Sequence, residues 1–285
     1  MKILILGAGG MIGHKVYQRI SEVFPDTYAT FRRPLSDYET FKIFDPAKSI
    51  SSVDVTDFEG VKRILDKVQP EVVINCVGVT LRKKEITDLA YALEVNSLLP
   101  HKLKCWSAQS LSKVIHFSTD CVFDGSGGPY FEDACPSAKD IYGKTKYLGE
   151  VQSPTCLTLR GSMIGRELYG KSELLEWTLS QKGQTIKGYS GAIYSGVTTS
   201  VMAQLVISIL QRPLFMSGLY HVSSQPISKF ELLVKINDAF GLGLKILEDC
   251  SYVSKKELDS SKIYREIGFV CPSWSEMIDQ LVLDT

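Results

Sequence analysis

Tyr142 and Lys146 stand four residues apart in "IYGKTKYLGEV". On a helix, positions i and i+4 share one face. An ammonium beside a phenol stabilises phenolate and so lowers the tyrosine pKa toward neutrality. Such a tyrosine can pass a proton to a carbonyl oxygen as hydride reaches the carbon. Lys144, at i+2, faces away. Upstream, "FSTDCVFDG" runs from an apolar stretch into the hydroxyls of Ser118 and Thr119, the carboxylate of Asp120 and the thiol of Cys121. YxxxK also occurs by chance, and its bland reading is an exposed aromatic–lysine helix face.

A second motif raises the weight of the first. "GAGGMIG" places Gly7, Gly10 and Gly13 directly after an apolar run and at the start of a helical pattern, with Met11 and Ile12 inside it. Glycines let the backbone turn tightly and approach a pyrophosphate, and a helix N-terminus offers free N–H groups to that anion. The strand–loop–helix context makes this a dinucleotide loop rather than a merely tight turn. An acid at the end of the second strand would bind the ribose 2′-hydroxyl of NAD. Here "TYATFRRPL" offers Arg32 and Arg33 and no carboxylate before them. Guanidinium groups suit a 2′-phosphate, so NADP(H) is expected, with NAD(H) as the alternative. Asp54 in "SVDVTD" is placed to meet the adenine amino group or to cap the next helix.

The elements that must hold these groups alternate. "KILILG", "TYATFR", the stretch 49–55, "EVVINCVG", "KVIHFST" and "TCLTLRGS" read as strands. Between them lie helical patterns, including "DFEGVKRILDKV" with Asp57 as N-cap and a long stretch over 86–107. This rhythm predicts an α/β fold: a Rossmann-type, doubly wound parallel sheet with helices on both faces. After Gly161 the rhythm loosens, with helices expected at 172–181, 199–211, 228–240 and 273–282 and short strands at 184–188 and 218–222. The expected organisation is a dinucleotide-binding domain over 1–161 and a smaller C-terminal substrate-binding lobe over 162–285, with the chain crossing between them more than once.

Bulk properties exclude other classes. In 285 residues, Lys plus Arg and Asp plus Glu both number 32, and no single-sign block occurs. A nucleic-acid partner reached by bulk charge is not expected. No run of eighteen apolar residues exists, so no membrane span is expected. The seven cysteines lack CxxC spacing and read as small buried hydrophobes in a reducing cytoplasm, not as disulfides or a metal site. The four histidines are scattered and form no ligand set.

Together the glycine loop, "STDCVFDG", "YGKTKYLGE" and the late "LDSSKI" and "PSWSEMI" resemble the extended short-chain dehydrogenase/reductases that act on nucleotide sugars. The closest resemblance is to the dTDP-4-dehydrorhamnose reductase family and its O-antigen and capsule relatives. That resemblance implies Thr119, Tyr142 and Lys146 as catalytic triad and Gly7, Gly10 and Gly13 as dinucleotide loop. It implies that Asn75 and Val77 line the cofactor groove and that Asn96, in "EVNSLLP", helps order the site. A nucleotide-sugar substrate and a homodimer are the partners it implies, with deoxysugar supply to surface polysaccharide as the role.

Within that superfamily the residue after Asp120 separates chemistries. Dehydratases carry Thr-Asp-Glu at this edge, whereas Cys121 stands here, and a thiol near its ordinary pKa is a poor acid–base substitute. A 4-keto reductase needs Thr119 to polarise the carbonyl, Tyr142 to protonate it and a hydride donor. A nucleotide-sugar 4-epimerase and a non-catalytic NADP-binding regulatory subunit, as in methionine adenosyltransferase, are the alternatives. The rhamnose enzymes have tyrosine in place of Cys121 and tryptophan in place of Met163, which suggests a different hexose, such as one with an acetamido group. Arg160 and Arg166 are candidates for the substrate diphosphate, and Tyr189 and Tyr194 for the substrate lobe.

Overall fold

The computed structural model describes residues 1–284. β1 (Ile3–Leu6) is wholly buried, as expected for a strand covered on both faces. α1 (Met11–Val23), β2 (Thr27–Thr30) and β3 (Ser49–Ile50) follow. α2 (Phe58–Val68) buries Val61, Leu65 and Val68, one stripe at helical spacing, and Asp57 caps it by accepting from the Gly60 amide. Next come β4 (Val72–Asn75), α3 (Leu89–Leu93) and α4 (Leu99–Ser110), then β5 (Lys113–Ser118), α5 (Ile141–Leu148) and β6 (Cys156–Arg160). α3 and α4 are joined by a π turn, Glu94–Leu98, so the expected helix over 86–107 carries one extra residue per turn at its middle.

The later chain forms β7 (Met163–Ile164), α6 (Leu174–Ser180), β8 (Thr185–Tyr189), β9 (Ala192–Tyr194), β10 (Val197–Thr198) and α7 (Thr199–Leu210). It continues through β11 (Gly218–His221), β12 (Ile227–Ser228), α8 (Lys229–Phe240), β13 (Lys245–Asp249), β14 (Ser254–Lys255), α9 (Ser261–Ile267) and α10 (Trp274–Leu283). α8 and α10 each begin with a capping box, Ser228 with Glu231 and Ser273 with Glu276.

The central sheet has seven strands in the order β11-β6-β5-β4-β1-β2-β3. The pairs β1–β2, β1–β4, β2–β3 and β4–β5 are parallel. The expected α/β, Rossmann-type architecture is therefore the observed one. Order reverses between β1 and β4, and in such sheets the crevice outside the carboxyl ends at this reversal receives ligands. On one face Leu4, Leu6, Val73 and Val114 pack with Val61, Leu65, Leu99 and Leu103.

The chain divides into two compact units, each assembled from three segments. The first comprises Met1–Ser118, Asp140–Leu159 and Ala203–Leu219; the second comprises Thr119–Lys139, Arg160–Met202 and Tyr220–Thr285. The second unit holds three small sheets, β10-β7, β12-β9-β14 and β13-β8.

The cysteines differ from expectation. All seven are free, but only Cys156 is buried, while Cys105, Cys135 and Cys250 are exposed. Cys156, in the apolar run "TCLTL", is buried on β6 as expected, whereas Cys105 follows Lys104 on α4 and is exposed. Among the described residues no helix is long and apolar enough to cross a membrane.

Candidate active site

In the first unit the loop after β1 is built around close approach. Gly7 has φ +78°, and a Cβ there would sit 2.8 Å from Cγ2 of Val77, on the loop after β4. A Cβ on Gly13 would overlap the Gly7 carbonyl, so the helix start is drawn tightly onto the loop. Gly10 is the N-cap of α1 without a side-chain cap bond, and the first turn carries no acidic residue. These features fit a dinucleotide pyrophosphate: backbone donors at a helix start, no competing carboxylate, and a floor too close for side chains. Met11 and Ile12 are the first residues of α1, and Ile12 is buried.

Arg32 and Arg33 follow β2 and are exposed. The Arg32 guanidinium lies 3.7 Å from Glu85 and 5.7 Å from the centroid of the Tyr91 ring. Asp54 is exposed and accepts from the backbone and hydroxyl of Thr56 at 3.0 and 2.8 Å. Those bonds, and then Arg32, hold its carboxyl below the usual range. The cap of α2 is Asp57, not Asp54. Tyr38, which the motifs do not mark, lies against the glycine loop, where a Cβ on Gly9 would strike its ring.

Asn75 ends β4; its Oδ1 accepts from the Val77 amide at 3.1 Å. Asn96 is fully buried in the π turn. Its Oδ1 accepts from the Val79 amide at 2.9 Å, and its Nδ2 donates to the Val79 carbonyl at 3.0 Å and to Thr145 Oγ1 at 3.1 Å. One amide thus satisfies the irregular backbone after β4 and anchors α5. Ser97 adds a bond to the Thr145 carbonyl at 2.7 Å. A Cβ on Gly149, after α5, would overlap the Asn96 carbonyl.

α5 starts at its cap Asp140, which accepts from the Gly143 amide at 2.8 Å. Tyr142 is half-buried against Val79, Ile86, Ala92 and Val95. Lys146, one turn on, is buried. Its Nζ donates to the Phe117 carbonyl at 2.6 Å and lies 3.4 Å from Nε2 of His116. Burial lowers its pKa to about 8 against the opposing pull of Glu150. His116, on β5, is also buried and meets Nδ2 of Asn75 at 3.1 Å. Its contact with Lys146 escaped the motif reading. The signal available was alternation: in "KVIHFS", His116 falls on the same face as Val114.

In the second unit Thr119 and Asp120 are buried. Thr119 Oγ1 accepts from the Cys121 amide at 3.1 Å and donates to Asp120 Oδ1 at 3.2 Å. Ser162 donates a short bond to the same carboxylate oxygen. Burial, and then Asp120, push the Cys121 thiol up to about 12. Met163 is half-buried in β7 and pairs with Val197.

The other proposed substrate contacts are engaged within this unit. Arg160 is 2% exposed; Nη1 is 2.8 Å from Nε2 of His221 and its guanidinium lies 5.2 Å from the Phe123 ring. His221 Nδ1 faces the carbonyls of Tyr130 and Asp259, each at 3.2 Å, which leaves Nε2 to accept from Arg160. Arg166 Nε lies 2.5 Å from Glu176. Tyr194 is buried beside Trp274, with the Lys229 ammonium 3.4 Å from its ring centroid. Tyr189 is exposed, its ring 5.3 Å from that of Tyr252.

The profile of the RmlD substrate binding domain matches residues 1–285. The chain is 28% identical to dTDP-4-dehydrorhamnose reductase of Aggregatibacter actinomycetemcomitans, over 98% of each chain. It is also 28% identical to methionine adenosyltransferase 2 subunit beta of Xenopus tropicalis, over 85% of this chain and 72% of that one. Its fold matches the crystal structure of dTDP-4-dehydrorhamnose reductase from Bacillus anthracis in complex with NADP, with a TM-score of 0.81 at 22% identity, over 100% and 99% of the two chains. With residues 1–285 matched by its profile, the chain belongs to the RmlD substrate binding domain family.

Proposed function

We propose that this protein is an NADPH-dependent reductase of the 4-keto group of a nucleotide-linked 6-deoxyhexose, supplying a deoxysugar for surface polysaccharide. The observation that carries the reading is a buried amine, Lys146, one helical turn from Tyr142 in the unit that holds the glycine loop. The cofactor, when bound, supplies the hydride. The amides around Gly7, Gly10, Met11, Ile12 and Gly13 hold its pyrophosphate, Arg32 and Arg33 its 2′-phosphate, and Asn75, Val77 and Asn96 the groove wall.

Tyr142 Oη gives its proton to the keto oxygen, and Thr119 Oγ1 donates a hydrogen bond to that oxygen as charge develops there. The Lys146 ammonium favours the phenolate left behind. In the free protein that single hydroxyl hydrogen goes to Asp120 Oδ1, so it turns from the carboxylate to the keto oxygen when substrate binds, while the Cys121 amide keeps its bond to Oγ1. A thiol pushed to about 12 does not exchange protons near neutral pH, which supports reduction over dehydration. A cytoplasmic homodimer completes the reading. Similarity to the methionine adenosyltransferase subunit supports a second reading, an NADP-binding regulatory subunit.

The test follows NADPH absorbance over a panel of nucleotide-linked 4-keto-6-deoxy sugars, with Tyr142→Phe alongside. Consumption by the wild type, cut about 10²–10⁴-fold in the variant, is expected. NADPH binding without turnover of any sugar, together with a stable complex with another enzyme, would replace the reductase by the regulatory subunit.

A further inference from the structure

Asn75 and His116 are register partners on the adjacent parallel strands β4 and β5. Their side chains therefore leave the same face of the sheet. Two residues earlier on each strand that face carries Val73 and Val114, both in the apolar cluster. A carboxamide and an imidazole thus replace aliphatic side chains at the carboxyl end of a buried face, and Lys146 of α5 meets them there.

The hydrogen-bond chain has a direction. Asn75 Oδ1 accepts from the Val77 amide, which turns Nδ2, a donor, toward His116 Nδ1. A ring nitrogen facing a donor must accept, so the neutral imidazole carries its hydrogen on Nε2. That Nε2–H faces Lys146 Nζ at 3.4 Å. An ammonium has three donors and no acceptor. Against it the ring presents donor to donor; against a neutral amine the same pair is a hydrogen bond.

We infer that Asn75 and His116 form a positioning relay for Lys146, in which Asn75 holds the imidazole as its Nε2–H tautomer and that N–H turns the amine's hydrogens toward the Phe117 carbonyl and eases the loss of one. The inference rests on the reading of Lys146 as the partner of Tyr142. His116 acts through Lys146 and is a positioning residue.

The charges around the pair agree. Burial keeps the His116 pKa well below its ordinary value, and Lys146 and His101 of α4 push the same way, so the ring is neutral. Glu150, after α5, favours the ammonium, and burial outweighs it. Tyr142 lies one turn before Lys146 on the same helix. An amine near 8 is still charged about ten to one at neutral pH, yet sits close enough to exchange a proton there.

Two NMR measurements on the full chain without cofactor test the relay. Two-bond proton–nitrogen correlation of histidine-labelled protein reads each ring's tautomer, with the four histidines assigned by single glutamine substitutions. His116 is expected neutral and Nε2-protonated from about pH 6 to about pH 9. An Nδ1-protonated or charged ring overturns the relay. The second measurement titrates the Lys146 Cε signal of lysine-labelled protein, assigned with Lys146→Arg. In His116→Gln a side-chain carbonyl can accept from the amine, and the midpoint is expected to rise by about one pH unit. An unmoved midpoint overturns the relay. If His116→Gln does not fold, the wild-type tautomer, assigned from the other three variants, decides alone. Neither readout uses turnover, so failure of the reductase assay leaves this result intact.

Discussion

Lys146 is where burial and charge meet. Its folded pKa of about 8 lies below the ordinary 10.5, so between those values the unfolded chain holds a proton that the folded chain has released. By linkage, stability from this group rises with pH through that window; below about 8 both states are protonated and the folded state bears the burial of the ammonium. The stability of wild type relative to Lys146→Met should therefore move in favour of wild type as pH climbs from about 8 to about 10.5, by roughly 3 kcal/mol at most. Urea denaturation of both proteins across that range measures it; parallel curves would mean that Lys146 is not desolvated. Cys121 gives the opposite expectation. Its thiol is protonated at working pH, so Cys121→Ala should keep turnover within about threefold and wild type should resist alkylation there at pH 8, read by mass spectrometry.

At the scale of elements, the site depends on how α5 is docked. The carboxamide of Asn96 makes three bonds, two to Val79 and one to Thr145. Asn96→Ala leaves the Val79 amide and carbonyl buried without partners and should cost about 2–3 kcal/mol in urea denaturation. Gly149→Ala adds a methyl against the Asn96 carbonyl, so α5 must shift and turnover should fall with NADPH affinity less affected. The pattern of these elements was largely legible. Helices expected at 172–181, 199–211, 228–240 and 273–282 lie at 174–180, 199–210, 229–240 and 274–283, because apolar periodicity and Ser-x-x-Glu boxes are local signals. The third strand was not: within 49–55 only Ser49–Ile50 is strand, because Ser52 turns left-handed at φ +59° and breaks the run before the Val53 amide bonds to the Phe31 carbonyl at 2.9 Å. β13 went unread because "KILED" is mostly exposed and lacks a buried run. Arg160 shows a further limit. Composition marks an arginine near a substrate segment as an anion ligand, and only tertiary structure reveals the His221 and Phe123 that occupy it. His116 was missed for the complementary reason, as its role comes from register with Asn75 on a distant strand.

For the whole molecule, the two units cannot be separated by one cut in the chain. A boundary at residue 161 would remove Ala203–Leu219 from the first unit and Thr119–Lys139 from the second. The first loss takes Leu205, Val206 and Ile209, all buried on α7. The second takes Phe123 and Tyr130, whose rings stack at 4.0 Å, and Val122, which pack against Leu258. It also takes Glu132, which accepts from the His221 amide at 2.9 Å. Each large buried apolar side chain contributes about 1.5–3 kcal/mol, and domains have only about 5–15 kcal/mol in hand. Fragments 1–161 and 162–285, expressed alone, should therefore each lack a cooperative urea transition, while the intact chain shows one. A cooperative transition in either fragment would mean that its missing segment is dispensable, and that the second unit could be exchanged between relatives at a single junction.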